Sequence, residues 1–520
     1  MLGWLKALPE TLICDRPVLC NLYAGVLMQT GEIQGVETWL LAAEHWLTLT
    51  EDGLERPEVA PVAMVVADKE EFRRLPGAVA VHRAGQALLL GNVAGTMKYA
   101  RQALDFALED DFLRRGGAAA LLGLAYWTNG DLEAAQRMYA NGMAWLQQAG
   151  NISDVIGCTI ALADIYIAQG RLREAMRIYE QALQLAAEHG TPTMRGTADM
   201  LVGMSELYRE QNDLQAAIQY LLRSKEQGEH TGLPQNRHRW HAALAHIREA
   251  EGDLNGALDL LDEAERMYVG DFSPNVRPVA ASRTRVWVAQ GRLDGALDWA
   301  QKQGLSVNDK LSYLHEYEHI TLARIYLARY KRSPKDRSIF EATGLLERLM
   351  NAAQEGGRAG STIEILVLLS LAHYSQGDIP LALIQLNQAL MLAEPEGYVR
   401  MFLDEGPAMT QLLREAAAQG IMPNYTGRLL EAIQPEQSTV LASPTEILLP
   451  AASLSLIEPL SQRELEILSL FKTELSGSEI AQELVIALST VRTHTKSIFS
   501  KHDDNNRRAA VKRAAELGLM

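Results

Sequence analysis

The sequence predicts an all-α fold: a solenoid of helical hairpins followed by a small four-helix domain. Two observations carry the prediction. A short turn recurs about every 40 residues over most of the chain, and two helix-start signatures follow closely on one another near the C-terminus. Between them lies a stretch that breaks every helical period.

The turn has the form Gly/Asn-x-hydrophobic and stands at Gly31, Gly91, Gly130, Gly170, Asn212, Gly252, Gly291 and Gly377. From Gly91 to Gly291 the steps are 39, 40, 42, 40 and 39 residues. A further step of 39 reaches Tyr330, where LARIYLARY reads as the same helix end without its glycine. Tyrosines precede the turn by four positions (Tyr126, Tyr166, Tyr208, Tyr326), and alanines follow it by five (Ala135, Ala175, Ala217, Ala257, Ala296, Ala382). Gly or Asn at a helix end takes the left-handed conformation that costs other residues about 1 kcal/mol. The alanine lets the second helix approach the first, and the tyrosine and turn leucine fill the seam. Each unit is thus a hairpin that buries its core only against its neighbours. The pattern resembles tetratricopeptide repeats. Its period fits HEAT repeats better, but the Tyr…Gly-x-Leu-x-x-Ala arrangement favours tetratricopeptide-like packing.

The solenoid is assigned to residues 1–433, with an irregular insertion over Glu51–Phe72. Gln434 to Ser455, with three prolines and many small polar residues, reads as a linker. Fully flexible, it would span roughly 25 Å root-mean-square. Residues 456–520 form the second domain. Its first helix opens with a capping box, Ser461 with Glu464, and is expected to bury Leu465, Leu468 and Phe471. Another box, Ser476 with Glu479, opens a second helix that buries Ile480, Ala481 and Leu484. A turn over Val485–Leu488 leads to Ser489, the cap of a third helix running to Lys501, and a fourth spans roughly Arg507 to Leu517. Two short helices, a tight turn and a hydroxyl cap make a helix-turn-helix. On the third helix Val491 and Ile498 lie inward, while Arg492, Thr493 and Lys496 share the opposite face with Ser489 and Ser497. Arginine can pair bidentately with guanine, threonine can touch a thymine methyl, and lysine can reach guanine or phosphate. A solvated basic helix face is the bland alternative; the capped two-helix context favours double-stranded DNA.

The net charge of −16 bears on this only when read by segment. From Pro459 to Met520 nine Lys/Arg stand against eight Asp/Glu, so the acidity belongs to the body. Leu484 to His502 holds Arg492, Lys496 and Lys501 and no acid. The three cysteines, Cys14, Cys20 and Cys158, form no metal-ligand or disulfide pattern and fit a reducing cytoplasm. MLGWLKALPE is not a signal peptide, and no apolar run is long enough for a bilayer, so no membrane partner is expected. Acid pairs, histidines and serines form no recognisable catalytic motif, so no enzyme is expected.

LSQRELEIL, GSEIAQEL and STVRTHTKSIFSK resemble the LuxR-type DNA-binding domain over some 60 residues. The resemblance places base-reading roles on Arg492, Thr493 and Lys496, and backbone contacts on Ser489, Thr490, His494 and Lys501. His494 has an alternative, a ring packed against the second helix. The chain departs from the family pattern at Glu474, at Gly477, and at His502 and Asp504, where the family has apolar residues that pack the fourth helix. An Asp buried there would cost a few kcal/mol, which puts the dimer in question. WLKALPETLICDRPVLCNLYAGVLMQTGE and ALMLAEPEGYVRMFLDEGPAMTQLLREA resemble the solenoid of large bacterial LuxR-type regulators related to the maltose-operon activator. That family carries a nucleotide-binding module ahead of its solenoid. No GxxxxGK[ST] loop occurs here, and GRAGST at Gly357 lacks the phosphate-holding lysine, so no cofactor is expected.

The resemblance implies a transcription regulator that binds DNA as a homodimer or oligomer, with a small-molecule or protein effector on the solenoid. The alternative is a protein-interaction scaffold whose DNA-binding domain has decayed. For the effector, the candidate cluster is RHRWHAALAH, with Arg237, Arg239, Trp240 and His241. An aromatic platform beside cations suits a sugar, a nucleotide or an acidic peptide; a partly solvated helix start is its plain reading.

Overall fold

The structure is a computed structural model. It describes residues 2–51, 64–189, 194–270 and 273–433, together with positions 467, 468, 470, 471, 475, 476, 479–481, 484, 491 and 495. The chain divides into two compact units, Met1–Gln434 and Pro435–Met520.

In the first unit, successive helices pair as antiparallel hairpins: Pro17–Gln29 with Val36–Glu51, Leu75–Leu89 with Val93–Phe106, and Phe112–Thr128 with Leu132–Gln148. Ile152–Ala168 pairs with Leu172–Glu188, Thr197–Glu210 with Leu214–Thr231, and Asn236–Ala250 with Leu254–Arg266. Val279–Ala289 with Leu293–Lys302, Glu316–Arg332 with Ser338–Glu355, and Ala359–Ser375 with Ile379–Ala393 complete the series, and Pro407–Ala418 packs on Pro423–Ile433 at its end. Every described element is helical. The eight turn residues read from the repeat all have positive φ, 70–84° for the seven glycines and 65° for Asn212. The six spacer alanines are all fully buried. Of the tyrosines, Tyr166 is buried, and Tyr126, Tyr208 and Tyr326 are half-buried. At Tyr330, where the glycine is missing, the helix runs through to Arg332 and ends at Ser333.

The middle residue of the turn has a role the repeat pattern did not reveal. Asn92, Asp131, Asp213, Asp253 and Asp378 each cap the second helix of their hairpin, accepting the N–H three residues on. Arg171 and Arg292 hold the same place and make no such bond. Of the insertion expected at Glu51–Phe72, residues 52–63 lie outside the described residues, and its end folds as the short helix Lys69–Arg73, capped by Asp68. The linker at 434–455 also lies outside them.

The first helices of the hairpins face inward and the second helices outward. Leu172–Glu188 shows why: its buried residues, Leu172, Ala175, Ile178, Tyr179, Ala182 and Ala186, recur every three or four positions and leave a polar outer stripe. The superhelix then meets itself. Ile152–Ala168 packs on Ala359–Ser375, Trp127 Nε1 donates to the Tyr313 hydroxyl at 3.0 Å, and Val399 N–H donates to the Glu210 carbonyl at 3.1 Å. Glycines make this seam close. A Cβ on Gly360 would stand 3.0 Å from the Ile167 carbonyl oxygen, and one on Gly170 would stand 3.0 Å from Gly360 N. The GRAGST stretch therefore serves helix contact here. Its Arg358 forms a buried pair with Glu316 at 2.7 Å.

Candidate functional site

In the second unit the described side chains make one small core, in which Ile467, Leu468 and Phe471 pack with Ile480, Ala481 and Val491. Leu470, Leu475 and Leu484 border it. The second capping box is formed as the sequence predicts. Ser476 N–H donates to Glu479 Oε2 at 2.7 Å, the Ser476 hydroxyl to the same oxygen at 2.6 Å, and Glu479 N–H returns to Ser476 Oγ at 3.4 Å. These bonds hold the Glu479 carboxyl below its usual range. Val491 is buried, as the inward reading of the third helix requires, and Thr495 Oγ1 donates to the Val491 carbonyl at 2.8 Å, a helical back-bond. Ile467 is fully buried and was not singled out by the sequence pattern. Ser489, Thr490, Arg492, Thr493, His494, Lys496 and Lys501, and with them Ser461, Leu465, Ile498, His502 and Asp504, lie outside the described residues.

The first unit encloses a channel of about 1090 Å³ along the solenoid axis. Its wall comes from the first helices of successive hairpins, so residues far apart in sequence meet there. Glu364 lies between two guanidiniums, Arg285 at 2.7 Å and Arg324 at 2.8 Å, and Arg324 continues to Glu405 at 2.7 Å. Glu206 accepts from His246 Nδ1 at 3.0 Å, and Asp164 faces Arg239 at 3.3 Å. Arg209 joins Glu210 at 3.3 Å and also pairs with Asp404. Burial pushes Glu364 and Glu206 up, but their cationic partners outweigh it and hold both down to about 2. At Glu210 burial prevails over Arg209 and the Met401 N–H, and the carboxyl is pushed up to about 7.

The cluster proposed for effector binding is divided by its helix. Arg239 lines the channel, as do its neighbours His238 and His246. Trp240 turns away, donating Nε1 to the Leu221 carbonyl at 2.8 Å and packing beside Val202 and Ala243. His241 is exposed to a degree and bonds the Arg237 carbonyl within its own helix at 2.8 Å. The sequence reading missed the irregular segment after Leu254–Arg266: Tyr268, Val269 and Ser273 to Arg277 dip into the channel wall. The signal was present as a run of Ser, Pro and Asn between two helices of the repeat. Among the described residues no helix is long and apolar enough to cross a membrane.

Residues 77–419 match the family model described as the MalT-like TPR region, and residues 458–514 match that of bacterial regulatory proteins, luxR family. The chain is 25% identical over 519 residues to the HTH-type transcriptional regulators MalT of Yersinia pestis (strain Pestoides F) and Yersinia pseudotuberculosis serotype O:1b (strain IP 31758). Each alignment takes in 95% of this chain and 55% of the relative, so the chain spans about half the length of those proteins. Among solved structures, a Rap protein complexed with competence and sporulation factor shares the fold, with TM-score 0.51, 11% identity, and coverage of 73% of this chain and 98% of that one. The longer repeat period is thus a tetratricopeptide variant and not a HEAT array. With residues 77–419 matched, well over half its length, and a luxR-family segment behind them, the chain belongs to the MalT-like tetratricopeptide-region family.

Proposed function

We propose that this protein is a cytoplasmic, DNA-binding transcription regulator that works by binding and not by catalysis. The observation that carries the reading is the luxR-family match at 458–514, joined to a core in which the second-helix residues Ile480 and Ala481 pack with Val491 of the third. A third helix anchored by Val491 has Arg492, Thr493 and Lys496 for base edges. Ser489, Thr490, His494 and Lys501 are assigned to the sugar-phosphate backbone. So few contacts per helix call for paired half-sites gripped by two copies. The solenoid channel is the sensor, where an effector biases the DNA-binding end.

The test is site selection from a random duplex pool by the full chain, followed by affinity measurements on the selected site. Arg492→Ala should lose about 1–3 kcal/mol on that site and relax discrimination at one base pair. Lys501→Ala should weaken all sequences alike and lower the salt slope by about one unit. Equal losses for Arg492→Ala on selected and random DNA would mean that Arg492 meets only phosphate. Failure to select any site would favour the scaffold reading, for which the polar His502, Asp503 and Asp504 speak.

A further inference from the structure

The channel wall is built from opposite charges, and nearly all the pairs close among themselves. Arg285 uses its whole guanidinium: Nε donates to Thr321 Oγ1 at 2.9 Å, one terminal nitrogen to Glu364 at 2.7 Å and the other to the Tyr317 carbonyl at 3.4 Å. Arg324 is spent on Glu364 and Glu405. The chain Arg285–Glu364–Arg324–Glu405 is neutral as a whole.

Arg277 is different. It lines the same channel from the irregular segment ahead of Val279–Ala289. Among the described residues it has no hydrogen bond and no ion pair; its one close contact is the Tyr317 ring, 5.9 Å from the guanidinium carbon to the centroid. The other face-on partner of that ring, Arg285 at 3.6 Å, is already committed to Glu364. Glu206 and Glu364, whose fields reach Arg277, each have hydrogen-bond partners nearer than it, His246 for Glu206 and Arg285 and Arg324 for Glu364. The wall therefore presents one planar, five-donor cation without an acceptor, above an aromatic ring, in a cavity of about 1090 Å³. That volume suits a small molecule, and the planar fork suits a carboxylate or a phosphate. Arg277 is exposed to the solvent of the channel, so its guanidinium is open to an entering anion while the other arginines of the wall are already paired.

We propose that Arg277 anchors an anion-binding site in the solenoid channel, which takes a small molecule bearing one carboxylate or phosphate group, its body lying against Tyr317. The proposal rests on reading the solenoid as a sensor.

Three probes with one carbon skeleton separate the headgroups: glycerol 3-phosphate, glycerate and glycerol. Binding to the full chain is measured by calorimetry, and for the phosphate also by ³¹P line broadening. At least one anion should bind and glycerol should not; which anion binds tells phosphate from carboxylate. Arg277→Gln should weaken that binding roughly 10- to 100-fold, the loss expected for a charge-assisted bond. Arg266→Gln, an exposed arginine paired with Glu263 outside the channel wall, should leave it unchanged. Equal binding of all three probes, no binding of either anion, or anion binding indifferent to Arg277→Gln overturns the proposal. The sensor reading is judged separately, by the DNA affinity of the full chain with and without the bound anion. An anion that binds through Arg277 and leaves DNA affinity unmoved upholds the site and removes the sensor.

Discussion

Glycine does two opposite jobs in this solenoid, and the difference is set by what a methyl group would meet. Gly203 sits mid-helix in Thr197–Glu210, and a Cβ there would stand 2.3 Å from the hydroxyl oxygen of Tyr179, a side chain that is completely buried and has nowhere to retreat. Gly344 also sits mid-helix, in Ser338–Glu355, and its Cβ would meet nothing within 4 Å. The same substitution should therefore act with opposite signs. Gly203→Ala is overpacking and should destabilise by about 1–3 kcal/mol. Gly344→Ala should stabilise by up to about 1 kcal/mol, through helix propensity and a less flexible unfolded chain. Denaturant midpoints of the two variants against the parent give both signs in one experiment. A Gly203→Ala variant as stable as the parent or more so would refute this account of Gly203. The turn glycines were readable from sequence because they recur at a fixed step. Gly203 and Gly360 were not, since a glycine inside a helix shows its reason only when the opposing helix is in place.

At the scale of the hairpin, the turn is both a stop and a start. Its glycine ends the first helix, and its middle residue, where Asp or Asn, caps the second. Arg292 fills the capping place without making the bond, and among the described residues its side chain reaches only Gln290 at 3.4 Å and the Trp287 face at 5.5 Å. Arg292→Asp should supply the missing acceptor to Gly295 N–H and add about 0.5–2 kcal/mol. The negative charge also favours the helix N-terminus. A thermal melt that shows no gain, with the fold intact by circular dichroism, would sink the idea. Element order and hairpin register were legible because period, turn and spacer alanine all point the same way. The channel was not. Glu206 and Glu364 are ordinary acids on paper, and only the stacking of successive hairpins brings Glu364 to Arg285 and Arg324, and Glu206 to His246. RHRWHAALAH was correctly marked as polar and aromatic, but its helix sends Arg239 to the channel and Trp240 to the packing side.

The whole solenoid is held in its closed turn at a seam where Glu210 is central. Its backbone carbonyl accepts from Val399 N–H at 3.1 Å, and its Oε1 accepts from Met401 N–H at 2.8 Å. Arg209, Asp404, Arg277, Tyr398 and Tyr425 are the titratable or charged groups whose fields it shares. Burial lifts this carboxyl to about 7 against a usual 4.5. An acid that holds its proton more tightly folded than unfolded loses stability as pH rises, so the Glu210 contribution falls between about 4.5 and 7 and is flat above. Glu206 and Glu364, held down to about 2, act in the other window. Their stabilisation is complete above about 4.5 and is lost as pH falls toward 2. Glu210→Gln keeps the acceptor for Met401 and removes the titration. Comparing the two proteins across pH cancels every group they share, including Glu206 and Glu364. The expected result is a stability difference that turns in favour of Glu210→Gln as pH climbs from 5, with most of the change complete by about 7 and little beyond it. Parallel melting curves for the two proteins over that range would show that Glu210 keeps its charge in the seam, paired with Arg209, and that the seam does not respond to pH through it.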